Sequence, residues 1–303
     1  MSINLVVAVT DDDWFELLRR QPTLNEVNFW APSAANFRAL QPGELFLFKL
    51  HAPRNMIVGG GIFAYASSLP CSLAWEAFGE ANGALSAQEM RARIARYRRA
   101  DPNERSDFPI GCRILTQPFF LEEPRWIPIP ASWSQNIVAF KTYNTGDTEG
   151  LALWEAVTDH LSRQHVQGVA EDSPRFGEPH LILPQGAFRV LVTDIYGRRC
   201  AVTQERTLPA LEAAHIRPYG NGGEHEAQNG ILLRRDIHSL FDAGYVTVTP
   251  DLHFEVSRRI REEFDNGKHY YALHGKRIDL PKEIGQHPDS KALSWHNENC
   301  FRG

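Results

Sequence analysis

The sequence predicts an α+β chain of two domains, and three observations carry that expectation. Its 303 residues are about twice the ~150 typical of one domain. Short strand-like runs mix with helical patterns over residues 1–140, without internal repeat. Beyond them a polar stretch, Lys141 to Gly150, gathers Gly, Asn, Asp and Thr without periodicity and reads as a boundary.

The elements follow in order. Strands are expected at Leu5–Val9, Glu44–Leu50, Met56–Ala64 and Arg113–Phe120. The second of these follows a Pro-Gly turn and reads as alternating. The third carries glycines at 59–61, which suggest a bulge or a close backbone approach. Ser86–Ala100 reads as a helix, with Ser86 as N-cap and Glu89 three residues on. A Pro-rich stretch spans Glu122 to Ala131. Leu151–Val166 reads as an amphipathic helix, Ser173–Pro184 as a loop, and Gly186–Tyr196 as a helix closed by Gly197. The expected division is 1–142, a helical linker over 143–180, and 181–303.

Composition narrows the function. Hydrophobic residues at 43% and charged residues at 23% exclude a collagen-like or largely disordered chain. A net charge of −5 excludes a strongly basic DNA coater but not a nucleic-acid enzyme, where local charge decides. The longest apolar stretches, such as Leu45–Leu50 and Ile57–Ala66, fall short of the ~20 residues that span a bilayer, so no membrane partner is expected. The start, MSINLVVAVTDDDW, has no basic region before its apolar run, so no signal peptide is expected. A cytoplasmic location with free thiols at Cys71, Cys112, Cys200 and Cys300 follows. No CxxC pair exists, which excludes a four-cysteine zinc ribbon.

The chemistry concentrates between Cys200 and Val248. An apolar strand ends in a histidine (Leu211–His215), a Gly/Asn-rich loop follows (Tyr219–Gly223), and a second strand starts at Gly230. A helix from Arg235 then carries His238 and Asp242, four residues apart and so on one face. Two potential metal ligands opposite a strand histidine make a compact metal-and-base site. Asn229 before Gly230 also fits a plain turn. His225 and His253 read as solvated or satisfied, Cys200 as core, and His296 fits a packing role and a site role alike.

This arrangement resembles the HNH nucleases, whose fold clamps two strands and a helix around one divalent metal. The matching residues are AHIRP at 214–218, NG at 229–230 and HSLFD at 238–242. Arg189, Tyr196, Gly197, CAVT at 200–203 and the tail LHGKRIDLP and LSWHNENCF resemble predicted restriction endonucleases of that family. The resemblance implies that His215 is the general base, that Asn229 fixes the loop, and that His238 and Asp242 hold Mg²⁺ or Mn²⁺. Many members carry Asp or His before the base. Here Ala214 stands there, which leaves Glu212, Asp194 and His296 as candidate substitutes.

In the N-terminal part, NFWAPSAANFRALQPGELFLFKLHAPRNMIVGGGIFA at 28–64 resembles the PUA-like folds, including the EVE and SRA readers. That implies a β-barrel with a pocket for a flipped, modified base. Aromatic walls and a few polar groups suit such a base. Trp30, Phe46 and Trp75 supply the candidate walls, with Tyr65 and Phe78 further aromatics. Ser33 and Asn36 supply the polar candidates, with Asn28 a third, and Trp30 with Asn36 is the preferred pair. Arg91, Arg98 and Arg99 on the basic helix, with Arg234 and Arg235 beside the nuclease motif, are candidate DNA-phosphate contacts. For the first group a solvated helix surface is an equal reading.

Together these readings imply a modification-dependent restriction endonuclease. It would read 5-methyl- or 5-hydroxymethylcytosine in double-stranded DNA and cut with a one-metal HNH site. One strand per site implies a homodimer. The alternatives are an inactive nucleic-acid reader and a nuclease acting on RNA.

Overall fold

The computed structural model describes residues 2–101, 106–166 and 183–303. The chain divides into two compact units, Met1–Leu181 and Ile182–Gly303. Together they are α+β, the class the sequence predicts.

The first unit contains β1 (Asn4–Thr10), α1 (Asp12–Leu18), β2 (Glu26–Ala31), β3 (Leu45–Leu50), β4 (Met56–Pro70), α2 (Cys71–Phe78), α3 (Ala87–Arg98), β5 (Pro109–Phe120), β6 (Ile127–Pro128), β7 (Phe140–Asn144) and α4 (Thr148–Val166). Its sheet runs β2-β5-β4-β3-β1-β7, with β6 on β4. The β1–β3 pair is parallel and the others are antiparallel.

The strand expected to alternate does not. All of β3 is buried, because helices cover both faces of the sheet centre. Phe46 and Phe48 join Val6, Ala8 and the α1 residues Trp14, Phe15 and Leu18 in one core. Leu45 and Leu47 join Leu5, Val7 and the α4 residues Leu153 and Val157 in another. The second core also corrects the domain boundary. The helix expected to be a linker packs on this sheet, and β7, inside the stretch read as a boundary, pairs with β1. The first unit therefore runs on past 142. The loop expected at 173–184 lies outside the described residues except for its last two.

The glycines at 59–61 show both expected features. A Cβ on Gly59 would lie 2.3 Å from the Phe119 carbonyl oxygen, and one on Gly60 would lie 2.7 Å from that of Phe46. The β4–β5 register shifts between Gly60 and Ile62. Helix α3 is capped as expected at Ser86, whose hydroxyl accepts from the Glu89 amide at 3.1 Å. The Glu89 carboxylate, however, accepts from the Leu85 amide at 2.9 Å, one residue before the cap.

The second unit contains α5 (Gln185–Ile195), β8 (Leu211–His215), β9 (Gly230–Arg234), α6 (Arg235–Asp242), β10 (Val246–Val248), β11 (Phe254–Val256), α7 (Arg259–Phe264), α8 (Lys268–Tyr271) and α9 (Ser290–Asn299). β8 and β9 form an antiparallel pair with His215 opposite Gly230. Phe188 and Val192 of α5, Ile231–Leu233 of β9, Ile237 and Phe241 of α6, and Leu293 of α9 share one core.

Candidate active site

Helix α5, strand β8 with the turn after it, helix α6 and the end of helix α9 line a cleft of about 540 Å³, with Phe188, Glu212, His215, Tyr219, His238 and Asp242 among its residues. Each residue is held there by a local cause.

His215 ends β8, and its ring lies flat on Phe188, centroids 4.0 Å apart. Gly230 permits this stack. A Cβ there would meet Val192 at 2.4 Å and the Phe188 ring at 3.1 Å. Gly230 is extended, at φ −121°, so Asn-Gly here is not a glycine turn but a close approach of helix to strand. The His215 Nε2 is buried and has no hydrogen-bond partner among the described residues. Burial, then the neighbouring His225 and His238, lower its pKa to about 4. The ring is therefore neutral at pH 7 and has an unused nitrogen.

Asn229 is buried and holds the loop after His215. Its Oδ1 accepts from the Arg217 amide at 2.9 Å. Its Nδ2 donates to the carbonyls of Arg217, at 2.9 Å, and Glu224, at 2.8 Å. Its own carbonyl accepts from the Ile216 amide at 2.9 Å, one residue beyond the histidine. This is a staple across both ends of the loop.

His238 lies between two carboxylates. Its Nδ1 is 2.9 Å from Glu212 Oε2, and its Nε2 is 3.3 Å from Asp242 Oδ2. Glu212 also faces Arg235 Nε at 3.2 Å. With Nδ1–H donated to Glu212, the Nε2 lone pair faces the Asp242 carboxylate. Two acceptors at that distance require a proton or a cation between them. Ligands of a small hard cation at ~2.1 Å stand about this far apart, and a carboxylate behind a ligating histidine is a usual support. The pair thus fits a divalent ion that keeps waters or phosphate oxygens in its remaining positions. Among the described residues no group of three or more His, Cys, Asp or Glu could hold a metal. Burial raises the Asp242 pKa, against the pull of His238.

The substitutes considered for Ala214 separate clearly. Ala214 itself is fully buried in the core. Glu212 reaches the site and orients His238. Asp194 is bound to Arg198 at 3.0 Å. His296 borders the same cleft but is buried, with both ring nitrogens engaged. It stacks on Phe241 at 3.7 Å, with Nδ1 2.8 Å from the Thr247 hydroxyl and Nε2 3.2 Å from the Phe241 carbonyl.

The candidate phosphate contacts are mostly committed elsewhere. Arg234 pairs bidentately with Asp236, at 2.6 and 2.7 Å. Arg91 donates to the Ser106 carbonyl and lies over Phe108. Arg98 donates to the carbonyls of Pro32 and Pro109 and covers the same ring. Those two guanidiniums tie α3 to its surroundings, while Arg99 is exposed at the left-handed C-cap.

The first unit holds a second concavity, of about 210 Å³. Trp14, Phe29, Trp30, Phe46, Tyr97 and Phe140 supply its aromatic lining, with Asp11, His51 and Arg113 as polar groups. Only Trp30 and Phe46 of the expected pocket stand here. Trp30 is fixed by its indole N–H, which donates to the Asn82 carbonyl at 2.9 Å. Ser33 and Asn36 are exposed, Asn36 over a different hollow beside Arg38 and Ser67, and Trp75 is half-buried on α2. Asn28 is buried against Asn82. Asp11 accepts from the Tyr97 hydroxyl at 2.5 Å and lies 3.3 Å from His51 Nε2. The Arg113 Nε is buried without a partner among the described residues.

Residues 200–249 match the family model of the HNH endonucleases. The second unit therefore carries an HNH endonuclease domain, and the match spans β8, β9 and α6. No curated protein sequence matches the chain. Among solved structures, ASCH from Zymomonas mobilis is 12% identical with a TM-score of 0.35, over 49% of this chain and 94% of its own. The modification-dependent TagI restriction endonuclease is 12% identical with a TM-score of 0.31, over 93% of this chain and 78% of its own.

Proposed function

We propose that the protein is a modification-dependent DNA endonuclease, in which the second unit cuts and the first unit reads. The observation that carries the cutting role is the placing of His215 in the same cleft as the His238–Asp242 pair, with Glu212 behind His238.

His215 accepts a proton from water as the water oxygen attacks phosphorus, and its neutral ring suits that task. The bond to the 3′-oxygen breaks as the new P–O bond forms. Asn229 keeps the loop after His215 in place, so the base holds its position. His238 and Asp242 would hold Mg²⁺ or Mn²⁺, with Glu212 fixing the His238 ring. When bound, such an ion supplies charge stabilisation at the scissile phosphate and the departing oxygen. Because each site cuts one strand, a double-strand break calls for two copies of the chain.

For reading, the aromatic concavity of the first unit suits one flipped base. Trp30 and Tyr97 offer ring faces, and Asp11 offers a carboxylate acceptor to a base edge. We assign it to a modified cytosine, whose exocyclic amine would donate to Asp11. The test is cleavage of unmodified, 5-methyl- and 5-hydroxymethylcytosine duplexes with Mg²⁺ or Mn²⁺, in parallel with His215→Ala. Modified DNA cut by the wild type alone supports the assignment. No cutting of any DNA under any condition sinks it.

One observation favours a second reading, a reader with a silent nuclease fold: among the described residues no group of three or more His, Cys, Asp or Glu could hold a metal. Calorimetry with Mn²⁺ separates the two, since the silent form takes up no ion while still binding DNA.

A further inference from the structure

The nuclease cleft carries a feature that hydrolysis does not use. Tyr219 opens the turn Tyr219–Asn221 that follows His215 by four residues, and it is 65% exposed. It lines the same cleft as His215 and His238. Its ring leans on His225, centroids 4.9 Å apart. His225 lies 4.9 Å from His215 and 5.6 Å from the buried Phe188. Four rings thus form a continuous ladder from the core to the rim. His225 is anchored from behind, with Nδ1 2.6 Å from the Leu183 carbonyl oxygen. The turn itself is closed by the amides of Asn221 and Gly223, both donating to the Pro218 carbonyl. Arg217 Nε holds its far end through the Asn221 carbonyl at 2.7 Å. A Cβ on Gly223 would lie 1.9 Å from the Arg217 carbonyl oxygen, so the loop folds back on Arg217 too closely for a side chain there.

A large aromatic ring on a rigid mount beside a hydrolytic base is built to be met by a flat partner. We propose that Tyr219, backed by His225, is the stacking platform for the nucleobase flanking the scissile phosphate. It is a substrate-positioning residue rather than a catalytic one. This role rests on the nuclease reading above. Every base has a π-face, so the platform accepts any sequence. In an intact duplex those faces are covered by neighbours, so Tyr219 engages a base that has left the stack at the cut site. Holding that base fixes the rotation of the phosphate next to it, which presents phosphorus to the water beside His215.

The experiment uses the full chain and a DNA that the wild type cuts. Tyr219→Ala, Tyr219→Phe and Tyr219→Trp are compared on that DNA. The same DNA with an abasic nucleotide on each side of the cut in turn is the second substrate. Replacing Tyr219 by Ala is expected to lower kcat/KM about ten-fold, the scale of one base–aromatic stack, while Phe and Trp retain it. The abasic substitution on one side is expected to cost the wild type the same factor and to cost Tyr219→Ala nothing further. Unchanged cutting of intact DNA by Tyr219→Ala overturns the platform. So does an abasic penalty that persists in that variant. If the wild type cuts no DNA at all, the nuclease reading itself falls and the platform falls with it.

Discussion

The two concavities differ in how the chain assembles them. The working residues of the nuclease cleft come from β8, the turn before β9, and α6, within residues 212–242. The aromatic pocket gathers Asp11, Trp30, Phe46, Tyr97, Arg113 and Phe140 from the ends and turns of elements spread over most of the first unit. A site on neighbouring elements has its geometry written in residue spacing. A site closed by a sheet has its geometry written in strand order, which spacing does not encode.

The largest effect that tests this comparison is at His215. His215→Ala is expected to lower DNA cleavage by about 10²–10⁴-fold, the usual share of a general base, with DNA affinity retained. Because burial holds the ring's pKa near 4, the acid limb of kcat/KM should lie near that pH rather than near 6.5. A rate profile that falls already at pH 6.5 would remove His215 from the role of free-enzyme base.

Next is Asn229. Asn229→Ala removes three side-chain hydrogen bonds inside a buried loop. Each backbone group left unpaired costs ~1–3 kcal/mol, so chemical denaturation should show the loss directly. Asn229→Asp keeps the acceptor for Arg217 N–H but sets a carboxylate oxygen against the two carbonyls in a buried place, and should be at least as destabilising as Ala. Equal stability of all three forms would mean that the staple does not hold the loop.

The pocket gives a smaller, more selective effect. Asp11→Asn and Trp30→Ala are expected to reduce preference for modified over unmodified DNA about ten-fold, as one lost hydrogen bond or stack would, in a competition assay. Cutting rate at saturating DNA should not move. If Asn36→Ala, an exposed residue over another hollow, has the larger effect, the reading site is elsewhere.

These contrasts explain what was legible. His215, Asn229, His238 and Asp242 stood at informative spacings, and the structure gathers the two histidines and Asp242 in one cleft with Asn229 beneath. Glu212 was visible as one carboxylate among many, but its partnership with His238 depends on strand pairing 26 residues apart. In the first unit, Leu45–Leu50 announced a strand but not that both its faces are covered, since a helix far along the chain closes the second face. Nothing in the sequence singled out Asp11, because its partners, Tyr97 and His51, arrive from α3 and the end of β3. Arg91, Arg98 and Arg234 misled for the same reason. Their charge is in the sequence, whereas their carbonyl and carboxylate partners are only in the fold.

The smallest effect separates those arginines. Arg98 spends its guanidinium on two carbonyls and the Phe108 ring, so Arg98→Ala should register as lost stability, with two carbonyls giving up a charged donor. Arg99 ends α3 at φ 55° and is exposed. Arg99→Ala should leave the side-chain packing alone and weaken DNA binding only a few-fold, more at low salt than at high salt, as a single phosphate contact would. Arg99→Gly relieves the positive φ as well, so it should match Ala in DNA binding while melting higher. A salt-independent loss of affinity in Arg98→Ala, with stability unchanged, would reverse the assignment and restore Arg98 as the phosphate contact.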